Sequence, residues 1–199
     1  NQMWYQRSLS IPTEWKGKKI LLNFGAVDYC AEIFIDGNFI ARHFGGSSSF
    51  SIDLTRYVKP GNTHNLVVFV KDDLRSGKQT GGKQCTNFYS GGCSYTRVTV
   101  WMEAVSPNGL KSVFTRPDID QKQLVVMPEF YKESNEGTLE VTVLDGKKTV
   151  AKKEVSSCNG SVIVLPIKNM KLWTPETPNL YDVIYRVKDS DGNVIDEVK

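Results

Sequence analysis

Two pairs of carboxylates are the side chains of this sequence best placed to do chemistry: the adjacent Asp72-Asp73, and Asp118 with Asp120 in Pro117-Asp118-Ile119-Asp120. Paired acids can share acid and base roles in a hydrolysis or hold a cation, but the reaction needs two carboxyl groups at a controlled separation. No second acidic cluster answers either pair at a fixed spacing, and acids beside strand ends more often cap or solvate turns. Asp28 follows the apolar run Phe24-Gly25-Ala26-Val27, where an acid either caps a turn or enters a buried hydrogen-bonded network; the structural role is the expectation. His43 and His64 are far apart in sequence and neither has a cysteine or acid at ligand spacing. No Gly-x-Ser-x-Gly elbow supports a nucleophile. Gly81-Gly82-Lys83-Gln84 lacks the Gly-Lys-Ser/Thr ending of a phosphate loop. With only two histidines and no Cys-x-x-Cys, neither a metal site nor a cofactor is expected.

Aromatic and loop residues offer recognition rather than catalysis. Trp4, Trp15, Trp101 and Trp173 could stack on a sugar, but tryptophan in a β-sandwich is more often core, and core is the expectation for them. Tyr89, Tyr95 and Arg97 are better candidates, because binding residues collect on loops held by a rigid scaffold. They lie in the segment Lys71 to Arg97, which carries five glycines and no sustained alternation. A loop that long in a compact domain is uncommon and usually functional.

The elements that must position these residues are strands. Tyr29, Ala31, Ile33 and Ile35 alternate with Cys30, Glu32, Phe34 and Asp36, so they occupy opposite faces. Further strands read over Trp4–Ile11, Lys19–Phe24, Phe50–Leu54, Leu66–Val70 and Val98–Val105. After Ser106-Pro107-Asn108-Gly109 they read over Leu110–Thr115, Leu124–Tyr131, Thr138–Leu144, Thr149–Val155, Val162–Ile167 and Tyr181–Val187. Asp36-Gly37, Asp145-Gly146 and Asp191-Gly192 each join alternating runs, and the dipeptide suits the type I′ turn. Short strands at this spacing with no helical period predict antiparallel sandwiches, and 199 residues suit two domains of roughly 100 each.

Bulk composition narrows the classes. Hydrophobic residues are 40% and charged residues 24% of the chain, a balance that supports packed cores. The formal charge of +3 comes from lysine pairs scattered among acids, whereas nucleic-acid binding would gather cations on one face; nucleic acid is excluded as a partner. No apolar run approaches the roughly 20 residues of a membrane span, and Asn1 to Pro12 lacks the plan of a signal peptide. Four cysteines are too few for a disulfide framework; a Cys85–Cys93 bridge is geometrically open, and so is the redox compartment. Asn159-Gly160-Ser161 is a glycosylation sequon, which implies an exposed turn.

Over nearly the whole length the sequence resembles the non-catalytic domains of glycoside hydrolase family 2, the β-galactosidases, β-glucuronidases and β-mannosidases. The matching pieces are Trp4-Tyr5-x-Arg7, Ile11-Pro12, Trp15-x-Gly17-Lys18, Asn23 to Tyr29, Asp36-Gly37 and His43-x-Gly45-Gly46. Ser76 to Gln79 and Gly92 to Arg97 resemble one branch of the family; Leu110 to Asp120 and Leu172 to Tyr181 resemble the opening and closing segments of its immunoglobulin-like domain. Here Arg97 runs directly into Val98, where the family usually inserts a Gly-Ile-Trp-type turn, and Ser94 stands where relatives often carry a carboxylate.

The resemblance implies an all-β fold of two β-sandwiches: a galactose-binding-like jelly roll over 1–106, and an immunoglobulin-like domain over 107–199. It implies substrate contacts at Ser94, Tyr95 and Arg97, and catalytic glutamates in a downstream TIM barrel of roughly 250 residues. The expected reading is a fragment ahead of that barrel, inactive by itself, with the barrel and a carbohydrate substrate as partners. It leaves open a homo-oligomer of the parent. A bacterial periplasmic or secreted setting is an analogy only. A free carbohydrate-binding module and an adhesive two-sandwich protein remain as alternatives, because sandwiches host all three functions.

Overall fold

A computed structural model describes residues 2–72, 99–132 and 137–199, and its backbone divides into two units, Asn1–Val105 and Ser106–Lys199. Among the described residues there is no α-helix; a single 3₁₀ turn, Thr13–Trp15, interrupts the strands.

The first unit contains β1 (Gln2–Ser10), β2 (Lys19–Phe24), β3 (Cys30–Ile35), β4 (Asn38–Phe44), β5 (Phe50–Asp53), β6 (Thr63–Lys71) and β7 (Val100–Val105). They form a four-stranded sheet ordered β1-β6-β3-β4 and a three-stranded sheet ordered β5-β2-β7, all antiparallel. Apart from the β3–β4 hairpin, sequential strands thus alternate between the two layers, the jelly-roll arrangement. The expected alternation holds: Ala31, Ile33 and Ile35 are buried and meet Leu22, Phe24 and Val68 in one core. Phe24 stacks on Phe50 at 4.7 Å, and Phe50 stacks on His43 at 3.9 Å, so three rings bridge the two sheets.

The second unit contains β8 (Leu110–Asp118), β9 (Gln123–Phe130), β10 (Thr138–Asp145), β11 (Lys148–Ser156), β12 (Ile163–Pro166), β13 (Asp182–Lys188) and β14 (Val194–Val198). Sheets ordered β12-β9-β8 and β11-β10-β13-β14 give the three-on-four layers of an immunoglobulin-like sandwich. Its core is built on Val126, Leu139, Val141, Ile163, Leu165 and Val187. Pro117 sits in the edge strand β8, where a missing N–H costs no ladder bond. The carboxylate of Asp196 in β14 accepts the Leu110 N–H at 2.8 Å, tying the unit's last strand to its first.

The outer face of β11-β10-β13-β14 carries an ion cluster. Glu140, 5% exposed, meets Lys188 at 2.7 Å, Lys152 at 3.0 Å and Arg186 at 3.3 Å. Lys188 also reaches Glu154 at 3.1 Å, and Arg186 reaches Glu197 at 2.5 Å. Hydrogen bonds from Lys188 and then Lys152 hold the Glu140 carboxyl down to about 2.

Only one Asp-Gly pair makes the expected turn. Asp36 and Gly37 both have positive φ, 49° and 80°, as type I′ requires. In the β10–β11 hairpin Asp145 pairs with Lys148, so the turn residues are Gly146 and Lys147; only Gly146 has positive φ, the II′ pattern. After β13 the Asp189 N–H bonds to Asn193 O, leaving the loop Ser190-Asp191-Gly192 with Gly192 left-handed, a type I turn with a bulge. β4 and β14, the runs that follow Asp36-Gly37 and Asp191-Gly192, are the two strands to which the sequence reading gives no bounds.

Three of the four tryptophans are not core. Trp4, Trp101 and Trp173 are 63, 44 and 59% exposed, and Trp15 alone packs against a core. Trp4 lies on the outer face of its sheet, against Phe69 at 4.4 Å. Alternation decides this: the register sets Trp4 opposite Phe69 while Leu66, Val68 and Val70 point inward.

Candidate functional site

The substrate-contact residues expected from the sequence, Ser94, Tyr95 and Arg97, lie outside the described residues. So do Tyr89, Asp73, Cys85 and Cys93. Of the long segment, Lys71 closes β6 and Asp72 follows it. Asp72 is 1% exposed, so of the two roles expected of a strand-end acid, turn cap or solvated turn residue, solvation is ruled out.

The remaining chemical candidates separate into structural roles. Asp118 accepts the Gln121 N–H at 3.0 Å and the Gln123 amide at 3.3 Å, closing the β8–β9 turn. Asp28 packs against Gly46: a Cβ built on Gly46 would sit 2.3 Å from the Asp28 carboxylate oxygen Oδ1. The second glycine of His43-Phe44-Gly45-Gly46 is therefore required by the close approach of a carboxylate. Gly46→Ala is expected to cost about 1–3 kcal/mol, read from the urea midpoint of the first unit, and removing the Asp28 side chain as well should return part of the loss.

The histidines do not meet. His43 stacks in the core rings, whereas His64 Nδ1 lies 2.6 Å from Asp36 Oδ2 and its Nε2 accepts the Lys59 N–H at 2.9 Å. Since Nε2 is an acceptor, Nδ1 carries the proton and donates it to the carboxylate. Asp36 also accepts the Asn65 N–H, and these two hydrogen bonds, the backbone one first, lower its carboxyl from the ordinary value. Sequence spacing missed this partnership because Asp36 and His64 are brought together by β3–β6 pairing.

One concavity of about 690 Å³ opens in the first unit, between the edge strands β1 and β7. Its wall is apolar at Leu22, Phe24, Leu66, Val68 and Met102, and polar at Gln6, Arg7 and Ser8, with Tyr5 and Trp101 at the sides. The volume is that of a ligand site. No Asp, Glu or His stands among the described residues that line it, and these offer binding surface rather than an acid–base pair. Arg7 and Tyr5 come from the motif Trp4-Tyr5-x-Arg7, whose strand spacing points both toward the interior side of β1.

Among the described residues Cys30 and Cys158 are free thiols, and no group of three or more His, Cys, Asp or Glu gathers as a metal site. Asn159 is half-buried, and its Oδ1 accepts the Phe130 N–H at 2.7 Å, although its turn is on the surface. No helix among the described residues is long and apolar enough to cross a membrane.

The family model described as "Glycosyl hydrolases family 2, sugar binding domain" matches residues 1–83, and the one described as "Glycosyl hydrolases family 2" matches residues 109–199. The chain belongs to glycosyl hydrolases family 2. Within the family, a β-glucuronidase of Bacteroides fragilis is 31% identical over 216 residues, covering 98% of this chain and 30% of the relative. A β-galactosidase of Thermoanaerobacter pseudethanolicus is 28% identical over 189 residues, covering 90% of this chain and 25% of the relative. The solved β-glucuronidase from Ruminococcus gnavus in complex with uronic isofagomine superposes with a TM-score of 0.80 at 24% identity, covering 99% of this chain and 34% of that one; the likeness is one of fold. The chain thus spans about a quarter to a third of the length of these family members.

Proposed function

We propose that this chain is the non-catalytic N-terminal part of a family 2 glycosidase that hydrolyses a β-linked glucuronide or galactoside. Residues 1–106 form its sugar-binding-type domain and 107–199 its immunoglobulin-like domain. The carrying observation is the occurrence of two family 2 models in order along a chain only a quarter to a third as long as its relatives. In this reading the acid and the nucleophile of retaining hydrolysis reside in a barrel beyond these residues, which occupies roughly 250 more. The two sandwiches scaffold that barrel, and Ser94, Tyr95 and Arg97 belong to a loop that helps to wall its sugar pocket.

The test is an assay on two proteins. The purified 199-residue chain is expected to release no 4-nitrophenol from aryl β-glucuronides, β-galactosides or β-mannosides above the buffer rate. The parent protein is expected to turn over one of them. Hydrolysis by the 199 residues alone, scaling with their concentration, refutes the assignment.

A further inference from the structure

Exposed apolar residues scattered over a surface are ordinary, but in the second unit several gather at one end. Residues 167–181 connect β12 to β13 there, beside the β8–β9 turn: the Ile167 N–H donates to Lys122 O at 2.8 Å. Leu172, Trp173 and Leu180 of this loop are 50, 59 and 77% exposed, and Ile119 of the turn is 57% exposed. The residues of this unit outside the description, 133–136, join β9 to β10 at the opposite end. The loop is closely tied. The Lys171 N–H donates to the Tyr181 hydroxyl at 2.7 Å, the Asn179 side-chain amide to Leu172 O at 2.9 Å, and the Thr177 N–H to the Thr174 hydroxyl at 3.0 Å. Trp173 pairs with Pro178 across the loop, and Lys171 Nζ lies 2.6 Å from Asp145 Oδ2 on the β10–β11 hairpin. Apolar side chains held outward on a fixed backbone lose little freedom when something covers them.

The last strand of the unit arrives at this same end. β14 is antiparallel to β13, with Val198 opposite Tyr185, and Lys199 Nζ lies 3.3 Å from the carboxylate of Asp182, two residues after Leu180. A chain that continues past Lys199 therefore starts beside the apolar loop. An extended chain advances about 3.3 Å per residue and packed sheets stand about 10 Å apart, so a handful of residues crosses the end of the sandwich. Four side chains offer a few hundred Å² of apolar surface, less than the roughly 800 Å² per partner of a stable complex between separate molecules. A covalently joined partner meets no such threshold, because a short connection sets a high effective concentration.

We infer that the end of the second unit bearing Ile119, Leu172, Trp173 and Leu180 is a docking surface for the part of the same polypeptide that follows Lys199. That part seats an apolar surface on the loop, and Trp173 is the anchor, since a large ring with few rotatable bonds carries much of the energy of a small contact. The same polypeptide is favoured over a second copy by the small area and by relatives about three to four times as long as the matched region. The inference rests on the function proposed above and deepens it: the loop sets the orientation of the following part relative to the second unit.

Photo-cross-linking and hydroxyl-radical footprinting of the parent protein test it. With p-benzoylphenylalanine at position 180, the cross-link should reach a peptide of the same molecule beyond Lys199. Trp173 should be oxidised at least 10-fold more slowly in the folded parent than in the urea-unfolded parent. Trp173→Arg should speed proteolytic cleavage beyond Lys199 at least 10-fold while amides of β10 and β13 keep their exchange protection. Val162→Arg is the control: Val162 is 62% exposed just ahead of β12, at the opposite end of the unit, and its replacement should leave the cleavage rate unchanged. Oxidation of Trp173 at the unfolded rate overturns the inference. So does a cross-link to residues 1–105 or to a second molecule, because the occupant is then the first unit or another copy. Aryl glycoside turnover by the same sample reports on the family 2 function separately, so an active parent with this end open sinks only the docking surface.

Discussion

Phe24→Ala is expected to lower the unfolding free energy of the first unit by about 3–5 kcal/mol. Phe24 is 1% exposed, and its ring lies nearly parallel to Phe50, with 8° between planes at 4.7 Å. Phe50 in turn lies 13° from the His43 ring at 3.9 Å. The three rings belong to β2, β5 and β4, so the stack spans both sheets, and Phe24 also forms part of the cleft wall. Truncation removes the end of the stack and leaves a cavity whose far side opens toward the cleft. Phe24→Leu keeps most of the volume and should cost under about 1.5 kcal/mol. Urea denaturation followed by tryptophan fluorescence measures both, since Trp4, Trp15 and Trp101 are in this unit. Equal effects of the two variants would show that the site relaxes and that the stack holds nothing together.

Glu140→Ala is expected to destabilise the second unit by about 2 kcal/mol and to remove Glu140's own contribution to its acid sensitivity. A carboxyl at about 2 in the folded state against 4.5 unfolded corresponds to about 3 kcal/mol; Lys152 is 53% exposed, and solvent screening there reduces the figure to about 2. The sign follows from the depressed folded value. Above pH 4.5 both states are ionised at this group and the stabilisation is complete; it falls as pH drops below 4.5 and is gone once pH passes below about 2. Thermal unfolding of wild type and Glu140→Ala between pH 7 and pH 2 should therefore converge as the solution is acidified. At pH 7 the difference in midpoint should be about 10 °C. Glu140→Gln keeps the shape and loses the charge, so a Gln variant as stable as wild type at pH 7 would exclude the ionic account.

Much of the fold could be read from alternation alone. β2 begins and ends at the residues that its apolar pattern marks, and Ala31, Ile33 and Ile35 are buried as a period of two requires. Two kinds of information escaped. Alternation says which residues share a face but not which face has a layer over it, so Trp4 and Trp101 were assigned to a core that their register denies them. An Asp-Gly pair likewise marks a turn without fixing its register, and Asp145 proves to be the last strand residue rather than the first turn residue.

The site was less legible, because its determinants are not local. Asp36 and His64 are 28 residues apart and meet through sheet pairing. The cleft lies between the edge strands of two different sheets, a property of topology that no motif carries. Trp4-Tyr5-x-Arg7 identified the family, while the place of Tyr5 and Arg7 on its inward side acquires meaning only beside β7.

The bond from the Leu110 N–H to Asp196 has a consequence for the order in which the polypeptide is made. Its partners are 86 residues apart, and β14, which carries the acceptor, is the last strand of the unit. Once β8 through β13 have left the exit tunnel every central strand of the sandwich is available, yet the beginning of β8 has no cap until β14 clears the tunnel as well. The second unit therefore completes its folding only when its own last strand has emerged, and the edge of β13 stays open for that interval.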